Sequence, residues 1–202
     1  MSGAPAAEAL AAALVGSLLH DLAGPLSAVS AGAELLGAAD ADVAAVVLEG
    51  CALLTARISF ARAAFGAPAV YDRIAIEDLC RPLMPRRAEL AWEQRGLVSG
   101  SPAQAALLGV QLAAPSLARG GLLRVTLKAE APWSVRLLAT GPRAVLDPRA
   151  AAGLEGRTQP QGPPGLWAPA RWLALHLAAE AGTAAVRAAD DGFAIELFGP
   201  PA

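Results

Sequence analysis

Seven apolar residues near the N-terminus, Val15, Leu19, Leu22, Leu26, Val29, Ala33 and Leu36, succeed one another at spacings that alternate four and three. That rhythm is the seam of a helix packing lengthwise against another helix, and it constrains this chain more than any other feature. It predicts one long helix from about Ala6 to Ala38. Ala38, Ala39 and Asp40 make a short break, and Asp40 or Asp42 is available to cap the next helix. A second helix is expected from Asp42 to Phe65. Val43, Val47, Gly50, Leu54, Ile58, Ala61 and Phe65 lie on one of its faces, and Val46, Leu53 and Phe60 widen it. Such a pair forms an antiparallel hairpin with more apolar surface than two helices can cover. A second copy of the hairpin would complete a four-helix bundle, so a homodimer is expected.

Beyond Gly66, Ala67 and Pro68 the pattern changes. A short helix is expected over Ile76–Leu83 and a strand over Glu89–Trp92. A helix opened by Ser101 and Pro102 runs to about Leu117 and is ended by Gly120 and Gly121. Leu123, Val125 and Leu127 alternate along a strand from Leu122 to Ala129, and Ser134–Ala139 reads as another. Leu154–Pro164 reads as loop, Leu166–Ala181 as helix, and Asp190-Asp191-Gly192 as the turn of a terminal hairpin. The fold class is therefore α+β. A helical hairpin over residues 1–66 precedes, over 67–202, a layer of helices on a mostly antiparallel sheet.

Composition narrows the function. The 202 residues carry a net charge of −2, which leaves no basic face able to track a nucleic acid. Cys51 and Cys80 share no metal-ligand spacing and suit a reducing compartment. Glu8 interrupts the apolar opening and no Lys or Arg precedes it, unlike a signal peptide. No uninterrupted apolar run reaches the roughly 18 residues that span a bilayer. A cytoplasmic protein with no membrane partner is expected.

Chemistry centres on His20. With Leu19 and Leu26 at position a of the heptad, His20 falls at position b, on the side facing water. Its neighbours one and two turns away on that side are Gly16, Ser17, Gly24 and Ser27. Long charged side chains normally solvate such a face. Each helical glycine costs roughly 1 kcal/mol relative to alanine, and close approach of another macromolecule to the imidazole explains that cost. Asp21 comes directly after His20, and Pro25 removes a backbone hydrogen bond just beyond it.

The segment His20-Asp21-Leu22-Ala23-Gly24-Pro25-Leu26 resembles the H-box of sensor histidine kinases, departing at Ala23, where kinases usually carry a basic residue. The resemblance implies that His20 accepts a phosphoryl group on the first helix of a dimeric bundle, with Asp21 orienting or tuning it. Further along, Gly109 and Ala113 stand where kinases carry the two asparagines of the N-box. Ala139-Thr140-Gly141-Pro142-Arg143 lacks the aspartate that holds adenine, and the glycine-rich lid is reduced to Gly162-Pro163-Pro164-Gly165. An H-box bundle joined to a degenerate kinase-ATPase-like α/β sandwich is similar to the ChpT-type histidine phosphotransferases of alphaproteobacteria. That resemblance implies a relay without ATP. The receiver domain of a hybrid histidine kinase donates the phosphoryl group, response regulators accept it, and Mg2+ comes from the receiver and not from this chain. An active sensor kinase core and a non-catalytic dimeric adaptor are the alternatives. The second histidine, His176, reads as structural, and Trp133, Trp167 and Trp172 read as packing for the second domain.

Overall fold

The computed structural model describes residues 3–35, 41–158 and 163–201. Helix α1 spans Gly3–Leu35 and α2 spans Ala41–Phe65. They approach closely through small residues. A Cβ on Gly32 would lie 2.5 Å from Val47 Cγ2, and one on Gly50 would lie 2.7 Å from Val29 Cγ2. The seam within the chain thus runs through Leu22, Pro25, Val29 and Gly32, which corrects the heptad frame. Val15 (55% exposed), Leu19 (61%) and Leu26 (55%) face outward instead. The apolar stripe on α1 is wider than one partner helix, and α2 covers only one edge of it. The expected break at Ala38–Asp40 and the seam residue Leu36 lie outside the described residues.

By length and composition alone, α1 and α2 are also apolar enough to cross a bilayer, with mean hydropathies of 1.4 and 1.7 in their richest windows. The expectation drawn from uninterrupted apolar runs overlooked this, because scattered polar residues dilute hydropathy without abolishing it.

The remaining elements are β1 (Val70–Tyr71), α3 (Arg73–Cys80), β2 (Ala88–Gln94), β3 (Val98–Ser99), α4 (Ser101–Ala113), β4 (Gly121–Lys128), β5 (Ser134–Thr140), α5 (Pro148–Leu154), α6 (Trp167–Ala179), β6 (Thr183–Ala189) and β7 (Gly192–Phe198). The main sheet has the order β2-β4-β5-β7-β6. Only β2 and β4 run parallel, and β4, β5, β7 and β6 form an antiparallel meander with a crossover. Alternation holds on β4, where Leu123, Val125 and Leu127 are buried while Arg124 and Lys128 are exposed. The helix expected to reach Leu117 ends at Ala113 and tightens into a 3-10 turn carrying Pro115. Three elements were not expected: the two-residue strands β1 and β3, which pair with each other, and α5. Asp147 caps α5 by accepting from the Arg149 N–H at 2.7 Å, and Pro148 starts it. Its seven residues are too few for periodicity to reveal.

Two clusters fix the hairpin to the sheet domain. Phe60, Ala63 and Ala64 of α2 join the main core with Leu107, Leu108 and Val110 of α4 and Leu137 of β5. Leu10 and Ala13 of α1 form a smaller cluster with Ala152, Trp167 and Ala168. At the base of the hairpin, α3 is held by Glu77, whose carboxylate accepts from Arg73 at 2.7 Å and from Arg81 at 2.6 Å. The Glu77 side chain is 8% exposed while both guanidinium groups reach solvent. Glu77→Ala is therefore expected to cost about 1–2 kcal/mol in equilibrium urea unfolding, less than the loss of a fully buried pair. An unchanged urea midpoint would show that the clamp carries no stability.

Candidate functional site

His20 is exposed on the outer side of α1, and no hydrogen bond to it forms among the described residues. One turn before it and one turn after it, Gly16 and Gly24 face open space, since a Cβ at either would meet nothing within 4 Å. The mid-helix glycines of the hairpin thus divide by function. Gly32 and Gly50 permit helix contact, whereas a Cβ at Gly16 or Gly24 would meet nothing within 4 Å among the described residues.

The two serines of the predicted face are used locally. The exposed Ser27 hydroxyl donates to the Ala23 carbonyl at 2.9 Å, bonding back along its own helix. Ser17 is half-buried, and its hydroxyl donates to the Gly165 carbonyl in a long contact of 3.4 Å. It therefore belongs to the junction between α1 and the segment leading into α6 more than to an open face. The heptad frame puts it towards water because a local pattern contains nothing of the distant segment that packs beside α1.

Asp21 is half-buried and makes no hydrogen bond to His20. Successive helical residues point about 100° apart, and Asp21 lines a small cavity where α1, α2, α4 and α6 meet. Arg57 of α2 and Gln111 of α4 line the same cavity. The Arg57 Nε and the Gln111 Oε1 are buried and have no hydrogen-bond partner among the described residues. Neither residue stood out in the sequence, because no local motif marks it and only the fold brings them behind Asp21. Pro25, which lacks an N–H, offers no helical hydrogen bond to the Asp21 carbonyl.

Gly109 and Ala113 lie inside the core. Leu107, Leu108, Val110 and Ala113 of α4 are fully buried, and a Cβ on Gly109 would lie 2.5 Å from Leu137 Cδ1. Ala139 is likewise buried in β5. Gly141, at the end of β5, has a φ of 157° and approaches the Gly120 carbonyl oxygen, 2.7 Å from an added Cβ. Of the reduced lid, Gly162 lies outside the described residues. Among the described residues no group of three His, Cys, Asp or Glu side chains is placed to hold a metal ion. The Cys80 thiol is buried, and that burial, with a smaller contribution from Glu77, pushes its ionisation far up, so it is no nucleophile. His176 stacks on Trp172 with ring centroids 4.9 Å apart, and Trp172 meets Phe65 of α2 edge-on at 5.3 Å. This aromatic group ties α6 to the end of the hairpin. Trp133 and Trp167 are buried, the latter against α1.

Comparison with known proteins bears on the family and the fold. The profile of the histidine phosphotransferase C-terminal domain matches residues 75–192. A solved bacterial phosphotransferase shares the fold with a TM-score of 0.77 and 23% identity, over 95% of this chain and 96% of that one. The histidine kinase AdeS of Acinetobacter baumannii gives a TM-score of 0.48 at 10% identity, over 90% of this chain and 97% of that one. The histidine kinase domain of a blue-light activated kinase from Erythrobacter litoralis gives 0.46 at 10%, over 91% and 94%. No curated protein matches the chain. With more than half of its length matched by that profile, the chain belongs to the histidine phosphotransferase family.

Proposed function

We propose that the chain relays phosphoryl groups between receiver-domain aspartates through a phosphohistidine at His20. The observation that carries this reading is the exposed imidazole flanked by Gly16 and Gly24, with open space at both Cβ positions. A bulky partner can reach the ring from outside the helix. A neutral imidazole nitrogen presents a lone pair that can act as a nucleophile.

In the step proposed, a ring nitrogen lone pair attacks the phosphorus of a receiver's aspartyl phosphate in line. The P–N bond forms as the P–O bond breaks, and the receiver carboxylate leaves with the electron pair. The other ring nitrogen keeps its hydrogen and carries the positive charge until that proton passes to solvent. Transfer to a response regulator reverses these bonds. The receiver brings Mg2+, and this chain contributes position. No ATP is consumed in this reading, supported by the packing of position 109 against Leu137. Residues 1–66 serve as the transfer and dimerisation hairpin and 67–202 as its support, acting in the cytoplasm. Homodimerisation is supported by the outward-facing Val15, Leu19 and Leu26, an apolar row that a second hairpin would cover.

The test uses a receiver domain charged on its aspartate with radiolabelled acetyl phosphate. The wild-type chain is expected to take up label in an acid-labile, alkali-stable form, and His20→Gln to take up none. Label on His20→Gln equal to wild type would refute the assignment.

A further inference from the structure

Resting on the assignment of His20, we propose that Arg57 is a positioning residue that draws the Asp21 carboxylate away from the phosphoryl-accepting face and offsets its charge. The hairpin register brings the two together. Val29 meets Gly50 and Gly32 meets Val47. Because the helices run antiparallel, eight residues back from Val29 and eight forward from Gly50 reach Asp21 and Ile58, with Arg57 beside it. Asp21 and Arg57 line one cavity together with Phe60 and with Pro169 of α6. The two form no ion pair with each other within 4.0 Å, and neither is engaged in an ion pair elsewhere among the described residues, so both charges are available to one another across the cavity. The buried Arg57 Nε–H is a donor without an acceptor, and the buried Gln111 Oε1 is an acceptor without a donor. A buried donor that lacks a partner is unfavourable, and among the described residues lining the cavity Asp21 carries the one carboxylate that could satisfy it.

The consequence for transfer is electrostatic. A phosphoryl group at neutral pH carries nearly two negative charges. Asp21 is next in sequence to His20, well inside the screening distance of about 8 Å at physiological ionic strength. An uncompensated carboxylate at that position repels the phosphoryl group both on arrival and once bound. Arg57, on the wall of the cavity that Asp21 lines, offsets that repulsion from behind without occupying the face a receiver must use. Gln111 extends the arrangement into the sheet domain, so the second domain sets the electrostatics of the first.

A double-mutant cycle tests this, with transfer from the same acetyl-phosphate-charged receiver as the readout. Arg57→Gln is expected to slow labelling of His20 by about tenfold. Arg57→Lys, which keeps the charge, is expected to retain most of the rate. In an Asp21→Asn background no carboxylate remains to be neutralised, so adding Arg57→Gln is expected to change the rate little. An equal slowing in both backgrounds, or an Arg57→Lys as slow as Arg57→Gln, means a merely structural arginine and overturns the inference while His20 stays labelled. Should Arg57→Gln lower the melting temperature, the exchanged pair Asp21→Arg with Arg57→Asp carries the same test, and a rate no better than either single variant overturns it. A wild-type chain that takes no label removes the assignment of His20, and this inference with it.

Discussion

A tryptophan at Gly24 is expected to leave the fold and its stability intact while slowing phosphoryl transfer to His20 by about 100-fold or more. Position 24 lies one turn beyond His20, and a Cβ there meets nothing within 4 Å among the described residues. Replacing a mid-helix glycine by almost any other residue gains several tenths of a kcal/mol to about 1 kcal/mol of helix stability. The melting temperature of Gly24→Trp should therefore hold or rise. The indole would stand in the path of any protein approaching the imidazole, and a displacement of about 1 Å at a reacting centre already costs about two decades in rate. Gly16→Trp should act alike from the other side. Gly32→Trp and Gly50→Trp serve as opposites, because there the added Cβ runs into Val47 or Val29 and the hairpin itself has to open. Substitutions of one kind thus divide into a pair that spares stability and a pair that destroys it. Transfer from a charged receiver and a thermal melt measure both properties. A Gly24→Trp chain that melts as wild type and transfers at the wild-type rate would show that no partner comes near this face.

That division also marks what the sequence could and could not convey. The alternation of Leu123, Val125 and Leu127 maps directly onto a half-buried strand, because side chains alternate whatever else the chain does. The long helices were legible for the same reason, as a period repeated many times. The partner of each part of the stripe was not. Leu19 and Leu22 look alike in the heptad, yet Leu22 turns towards α2 and Leu19 outward, since the width of an apolar stripe says nothing of how many neighbours share it. His20 could be singled out because its motif is local. Arg57 and Gln111 could not, because both are remote from Asp21 along the chain, and only the docking of α2 and α4 sets them round one cavity. Ser17 was misread by the same limit, its surroundings being supplied by a loop 148 residues away.

Restoring an asparagine at position 109 is expected to destabilise the protein by about 3 kcal/mol or more and to create no affinity for magnesium-ATP. Two costs add. A Cβ at this position would sit 2.5 Å from Leu137 Cδ1, 3.0 Å from its Cδ2 and 3.3 Å from its Cγ, so the leucine must leave a well-filled place between α4 and β5. Overpacking of that kind typically costs about 1–3 kcal/mol. The carboxamide is then buried among Leu107, Leu108 and Leu137, all fully buried, with its hydrogen bonds unmet at a further cost of about 1–3 kcal/mol. Gly109→Ala separates the two costs, because it adds the crowding atom without the amide. Leu137 is flexible at its end, and alanine returns about 1 kcal/mol of helix propensity, so this variant should lie close to wild type. Opening the site with Leu137→Ala should make Gly109→Asn cost less than it does alone, the coupling expected of two residues contending for one volume. Urea unfolding of wild type, both single variants and the double variant measures the cycle. If Gly109→Asn unfolds at the wild-type midpoint, α4 does not pack on the sheet as described. If it does not, the packing of Leu137 against α4 occupies the space that an asparagine at position 109 would need.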